Sequence, residues 1–91
     1  MIGGLGNDSG GAGPGDDTIY AGDGNDVFNS GIGNDYIDQG AGDDRSGGSF
    51  NNDTIFGGTG NDTIGGGEGF DLLYGEDGDD QFGGGGFNDT I

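Results

Sequence analysis

Aspartate recurs on every ninth residue of this chain: Asp8, Asp17, Asp26, Asp35, Asp44, Asp53, Asp62, Asp71, Asp80 and Asp89. Ten carboxylates held to one spacing form a ladder of hard, anionic oxygen ligands, and the chemistry such a ladder suits is the holding of cations. Little else in the sequence could do chemistry. There is no cysteine, histidine or lysine, so thiolate nucleophiles, Ser-His triads and the common zinc ligands are excluded. A ladder of identical carboxylates also lacks the two contrasting environments that an acid/base pair needs, so no enzymatic activity is expected. Eighteen acidic residues face one basic residue, Arg45, for a net charge of -17. Nucleic acid and anionic membrane surfaces carry the same sign and are poor partners, so neither nucleic-acid binding nor membrane insertion is expected, whereas cations are favoured.

The residues around each aspartate keep the same register. Cut into nonapeptides from Gly3, the chain gives ten units with the aspartate sixth, as in residues 21–29, AGDGNDVFN, and 57–65, GGTGNDTIG. The second position is glycine except at Ser49 and Glu76, and the fourth is glycine except at Asn51 and Phe87. The eighth carries Ile19, Phe28, Ile37, Ile55, Ile64, Leu73, Phe82 and Ile91, interrupted by Gly10 and Ser46. Each unit therefore reads as a six-residue turn followed by a three-residue strand with one inward apolar side chain. Nothing shows helical periodicity. Ca²⁺ takes six to eight oxygens, mixing carboxylates with backbone carbonyls. A turn that aims several carbonyls at one spot needs positive φ, which glycine reaches without steric cost.

Only 26% of the residues are hydrophobic and 28 are glycine, too little for a conventional core. A three-residue strand buries almost nothing alone, so the units must stack. A permanently disordered acidic linker would share this composition but would not hold a nine-residue register. No apolar run is long enough to cross a membrane, and the Met1-Ile2-Gly3 start does not resemble a signal peptide. An EF-hand is excluded by spacing, and a phosphate-cradling loop by the missing lysine.

From residue 3 to residue 91 the units resemble the nonapeptide GGxGxDxUx of the RTX, or hemolysin-type, calcium-binding family. The resemblance implies an all-β fold, a right-handed parallel β-roll of about five turns with two nonapeptides per turn, forming a single module over residues 1–91. Asp8, Asp26, Asp44, Asp62 and Asp80 would line one edge, and Asp17, Asp35, Asp53, Asp71 and Asp89 the other. Those ten carboxylates, with backbone carbonyls of loop residues such as Gly13, Gly15, Gly22, Gly24, Gly31, Gly33, Gly40, Gly42, Gly58 and Gly60, would hold about eight Ca²⁺, nearly cancelling the charge of -17. The family also implies a secreted, extracellular setting, as a calcium-dependent folding module of a larger bacterial toxin, protease, lipase or surface protein. A start in mid-register and an end inside a unit agree with a fragment, or with a trimmed or designed scaffold.

Three further expectations follow from departures in the pattern. Glu76 and Phe87 replace glycine badly, so the sites around Asp80 and Asp89 should be the weakest. The inward column should be lopsided, with Phe28, Ile64 and Phe82 on one sheet against Ile19, Ile37, Ile55, Leu73 and Ile91 on the other. Exposed Tyr20, Tyr36, Phe56, Leu72 and Tyr74, with Phe50, Phe70 and Phe87 on the turns, read either as ordinary strand-surface residues or as a docking face for a neighbouring domain. Uncapped ends also allow end-to-end self-association. An adhesin or ice-binding surface is the alternative, since Thr59-Gly60-Asn61-Asp62 resembles calcium-bound ice-binding loops. The third column, from Leu5 and Pro14 to Asp77 and Gly86, offers no uniform array for it.

Overall fold

A computed structural model describes residues 2–83. Each described unit contributes one short strand because three residues separate one glycine turn from the next; β3 alone runs on for two residues into the following turn. In chain order these are β1 (Ile2–Gly4), β2 (Ser9–Gly11), β3 (Thr18–Gly22), β4 (Val27–Asn29), β5 (Tyr36–Asp38), β6 (Arg45–Gly47), β7 (Thr54–Phe56), β8 (Thr63–Gly65), β9 (Leu72–Tyr74) and β10 (Gln81–Gly83). They form two five-stranded sheets, β1-β3-β5-β7-β9 and β2-β4-β6-β8-β10, with every pair parallel. The chain alternates between the sheets, making a β-solenoid of about five turns with two units per turn. β1 runs from Ile2 into the first two positions of the first unit and extends its sheet by one strand that counting units from Gly3 does not supply.

Equivalent residues of successive coils are eighteen apart, so Ile19 pairs with Ile37, Ile37 with Ile55 and Ile55 with Leu73. Those four side chains are fully buried and form, with Ala21, Phe28 and Ile64, a single core. The lopsided core expected from the eighth column is present, with two corrections. Phe82 is 36% exposed, because among the described residues no strand follows β10 in its sheet. First-position side chains also turn inward: Ala21, Ser30 and Gln39 are as buried as the isoleucines. Ile91 lies outside the described residues.

The turns have the backbone the glycines imply. Among the described residues, every second and fourth position of a unit has positive φ, from 67° at Glu76 to 137° at Gly69. Space is a second reason for glycine. A Cβ on Gly31 would lie 2.6 Å from the carbonyl oxygen of Gly13 one coil back, so backbone stacks directly on backbone. Ser49, Asn51 and Glu76 take the same left-handed conformation despite their side chains, with φ of 76°, 75° and 67°.

Candidate metal sites

Each sixth-position aspartate closes its turn and enters the next strand, and the stacking fixes what its two oxygens meet. Oδ1 accepts the backbone N–H of the aspartate one coil back. Asp8 donates to Asp26 at 2.7 Å, Asp26 to Asp44 at 2.7 Å, Asp44 to Asp62 at 2.9 Å and Asp62 to Asp80 at 2.9 Å along one edge. Along the other edge Asp17 donates to Asp35 at 2.7 Å, Asp35 to Asp53 at 2.8 Å and Asp53 to Asp71 at 2.8 Å. The bond anchors each accepting carboxylate, from Asp26 to Asp80, and sets its rotation. Asp26, Asp44, Asp53, Asp62 and Asp71 are each 1% exposed. The two edges expected from the sequence thus hold all the aspartates from Asp8 to Asp80 in register; Asp89 lies outside the described residues.

The second oxygen is the chemically open one. Oδ2 of Asp8, Asp17, Asp26, Asp35, Asp44, Asp53 and Asp62 is buried and accepts no hydrogen bond from the protein. A buried ionised carboxylate without a partner costs several kcal/mol, so these atoms call for a cation or a proton. Their direction shows through the glycines. A Cβ placed on Gly57 would lie 2.7 Å from Asp62 Oδ2 and 2.8 Å from the carbonyl oxygen of Gly75 one coil on. At Gly48 the same point meets Asp53 Oδ2 and the Gly66 carbonyl, and at Gly3 it meets Asp8 Oδ2 and the Ala21 carbonyl. Inside these three turns a carboxylate oxygen and a carbonyl oxygen of the following coil therefore converge on one small space.

That donor set fits a hard divalent cation such as Ca²⁺ and no softer one. Among the described residues no three acidic, histidine or cysteine side chains group closely enough to hold a metal. The oxygens brought together are instead carboxylate and backbone carbonyl oxygens. The carbonyls brought against Oδ2 are those of first-position residues, Ala21, Gly66 and Gly75, which sequence reasoning passed over. Of the second- and fourth-position carbonyls it singled out, those of Gly22, Gly31, Gly40 and Gly58 accept backbone N–H groups from the next coil, at 2.9–3.2 Å. The carbonyls of Gly13, Gly15, Gly24, Gly42 and Gly60 lie against the glycine one coil on. Gly33 takes its place on the stack through its N–H, which donates to Asn51 Oδ1 at 3.1 Å.

Burial and mutual repulsion raise the proton affinity of three of these carboxylates, Asp44, Asp53 and Asp62. Asp53 is pushed up to about 7, first by desolvation and then by Asp35 and Asp71, against the pull of the Asp35 N–H. Asp44 is pushed up to about 6 by the same causes, with Asp62, Asp26 and Asp43 as its charged neighbours, and burial raises Asp62 as well.

A second ladder runs beside the first. Fifth-position side chains accept the backbone N–H of the fifth residue one coil on: Asn7 Oδ1 from Asn25 at 2.8 Å, Asn25 from Asp43, Asn34 from Asn52 and Asp43 from Asn61, each at 2.9 Å. Its polarity opposes that of the aspartate ladder, and its side chains are exposed. The recurring Gly-Asn-Asp and Gly-Asp-Asp triplets carry the signal for it, since only a short acceptor side chain can make this bond.

Outside the turns, Tyr20, Tyr36, Phe56 and Tyr74 form a continuous ring-to-ring column on one sheet, with centroids 6.2, 5.5 and 4.9 Å apart. Phe50 and Phe70 are half exposed and border an open groove with Ile32 and Glu68; Phe87 lies outside the described residues. Third-position residues bridge coil to coil, but they read Asp23, Ala41, Thr59, Asp77 on one edge and Ile32, Phe50, Glu68 on the other. No uniform array results.

The model of the RTX calcium-binding nonapeptide repeat family matches four overlapping stretches, residues 2–37, 11–46, 38–73 and 56–91. No curated protein and no solved structure matches the chain.

Proposed function

Since the chain belongs to the RTX calcium-binding nonapeptide repeat family, we propose that its sixth-position aspartates are the calcium ligands and that calcium drives its folding. The observation that carries this reading is the row of buried Oδ2 atoms without a protein partner, those of Asp8, Asp53 and Asp62 beside a carbonyl of the next coil. Asp8 to Asp80 on the two edges, with first-position carbonyls, would hold the ions, and Asp89 continues the register in the sequence. An ion between two coils screens the carboxylates from one another and joins turns whose apolar contact is small. Each site filled at a hundredfold excess over its dissociation constant would add about 2.7 kcal/mol to the folded state.

The biological role proposed is a module that stays unfolded where calcium is scarce and folds where it is plentiful. Proteins with this repeat are secreted by bacteria, which supports an extracellular setting and a stabilising, non-catalytic part in a larger protein. Circular dichroism during a calcium titration, with magnesium as control, tests the reading. Strand signal should appear with Ca²⁺ and not with equal Mg²⁺, whose octahedral demand the carbonyl-rich turns do not meet. Full strand signal before any calcium is added would overturn it.

A further inference from the structure

One turn differs from the rest in what fills it. First-position residues that carry a side chain are Ala12, Ala21, Ser30 and Gln39. Ser30 is satisfied, its Oγ donating to the Gly48 carbonyl at 3.0 Å. Gln39 is not. It is 1% exposed, and neither its Oε1 nor its Nε2 has a hydrogen-bond partner. A fully buried amide with both ends unpaired costs several kcal/mol and calls for an explanation.

Its surroundings follow from the repeat. In the equivalent place the first-position Cβ direction points at the same unit's Asp Oδ2, as Gly57 does toward Asp62 and Gly3 toward Asp8. It also points at the same unit's eighth side chain, since a Cβ on Gly75 would lie 2.7 Å from Phe82 Cζ. By the same repeat geometry, Gln39 is aimed at Asp44 and Ser46 of its own unit. Where other units of that sheet carry Phe28, Ile64 or Phe82, this unit has the small Ser46, which leaves the room a glutamine needs. Asp44 Oδ2 and Ser46 Oγ are themselves buried without partners. One unit thus carries four orphaned polar atoms, Gln39 Oε1 and Nε2, Asp44 Oδ2 and Ser46 Oγ.

Donor and acceptor chemistry sorts them. Asp44 Oδ2 and Gln39 Oε1 only accept, so a cation can serve both at once, while Nε2 donates and Ser46 Oγ can accept from it. We propose that the calcium site of this turn takes Gln39 Oε1 as a second side-chain ligand beside Asp44 Oδ2, with Ser46 holding the amide nitrogen. The proposal rests on the calcium reading above. It makes this site unlike the others, with one more protein oxygen and no added charge.

The test compares the intact chain with Gln39→Met, Gln39→Glu and Gln39→Gly, measuring bound calcium by equilibrium dialysis and strand content by circular dichroism at saturating calcium. Met keeps the volume and removes the oxygen, so one ion should bind about tenfold more weakly, the low end of what losing a supporting group costs a metal site. Glu keeps a ligating oxygen and should hold that ion at least as tightly as Gln. Should Gln39→Met not fold, Gln39→Glu still decides, because an amide that merely fills space predicts that a buried carboxylate there raises the calcium needed to fold. Equal binding by Gln39→Met, weaker binding by Gln39→Glu, or one extra ion in Gln39→Gly would each overturn the proposal while leaving calcium binding intact. An intact chain that binds no calcium would instead overturn the underlying reading.

Discussion

The backbone N–H of Asp35 donates to Oδ1 of Asp53, eighteen residues on, at 2.8 Å, while Asp53 Oδ2 stays buried without a protein partner. One carboxylate thus does two separable jobs: one oxygen registers the coils and the other offers a ligand.

The two jobs come apart in Asp53→Asn. Asparagine retains an oxygen for the Asp35 N–H but replaces Oδ2 by an amide that cannot ligate a cation, and it removes a buried charge. The metal-free variant should show more strand signal than the metal-free parent, bind at least one calcium fewer, and gain less strand signal when calcium is added. Calorimetric calcium titration paired with circular dichroism checks all three. An unchanged ion count would show that Oδ2 is not a ligand.

Protons should substitute for calcium. Burial raises Asp53 to about 7 and Asp44 to about 6 in the folded chain, above the ordinary carboxylate value of 3.8. A group whose folded pKa is raised binds more protons folded than unfolded. Its stabilising contribution is complete below the unfolded pKa and is lost as pH rises through the folded one. Freed of metal over a chelating resin, the chain should therefore gain strand content as pH falls from about 8 to about 5. With calcium present the dependence reverses, because protons compete for the same oxygens, and the calcium midpoint should rise over that window. Strand content that falls on acidifying the metal-free chain would contradict the burial argument.

Much of this was legible in the sequence: the period of nine gives the strand positions and the positive φ at glycine columns, and the family resemblance implies two units per coil, hence the eighteen-residue pairing of Ile19, Ile37 and Ile55 and the two rows of aspartates. What was not legible is which atoms meet across a coil. The first column, Ala12, Ala21, Ser30, Gln39 and then glycines, looks irrelevant by residue type, and only the geometry shows it facing both the carboxylate and the core. The exposure of Phe82 escaped for another reason: a column of identical positions does not say which strand ends a sheet.

Glu76 is held at φ 67°, where a Cβ is strained and glycine is not. Glu76→Gly should stabilise the calcium-loaded fold by about 1 kcal/mol, the usual cost of a left-handed residue with a side chain, reduced by glycine's greater freedom when unfolded. Ser49, at φ 76°, should gain less from the same change, because its Oγ donates to Asn29 Oδ1 at 2.6 Å and glycine would lose that bond. Urea unfolding at fixed saturating calcium measures both. A Ser49→Gly gain larger than that of Glu76→Gly would contradict this ranking.

The fifth-position ladder should hold coils together without touching the metal. Asn34 Oδ1 accepts the Asn52 N–H at 2.9 Å on the exposed side of the turn, one residue before Asp35 turns inward. Asn34→Ala removes that acceptor but leaves the Asn52 N–H open to water, so the loss should be about 1 kcal/mol of stability in urea, the net worth of one such bond. The number of bound calcium ions should not change. This separates the two ladders experimentally, since Asp53→Asn is expected to lower the ion count and Asn34→Ala only the resistance to urea. A reduced ion count in Asn34→Ala would mean that the outer ladder also shapes the cation sites, and that registration and ligation are coupled through the turn.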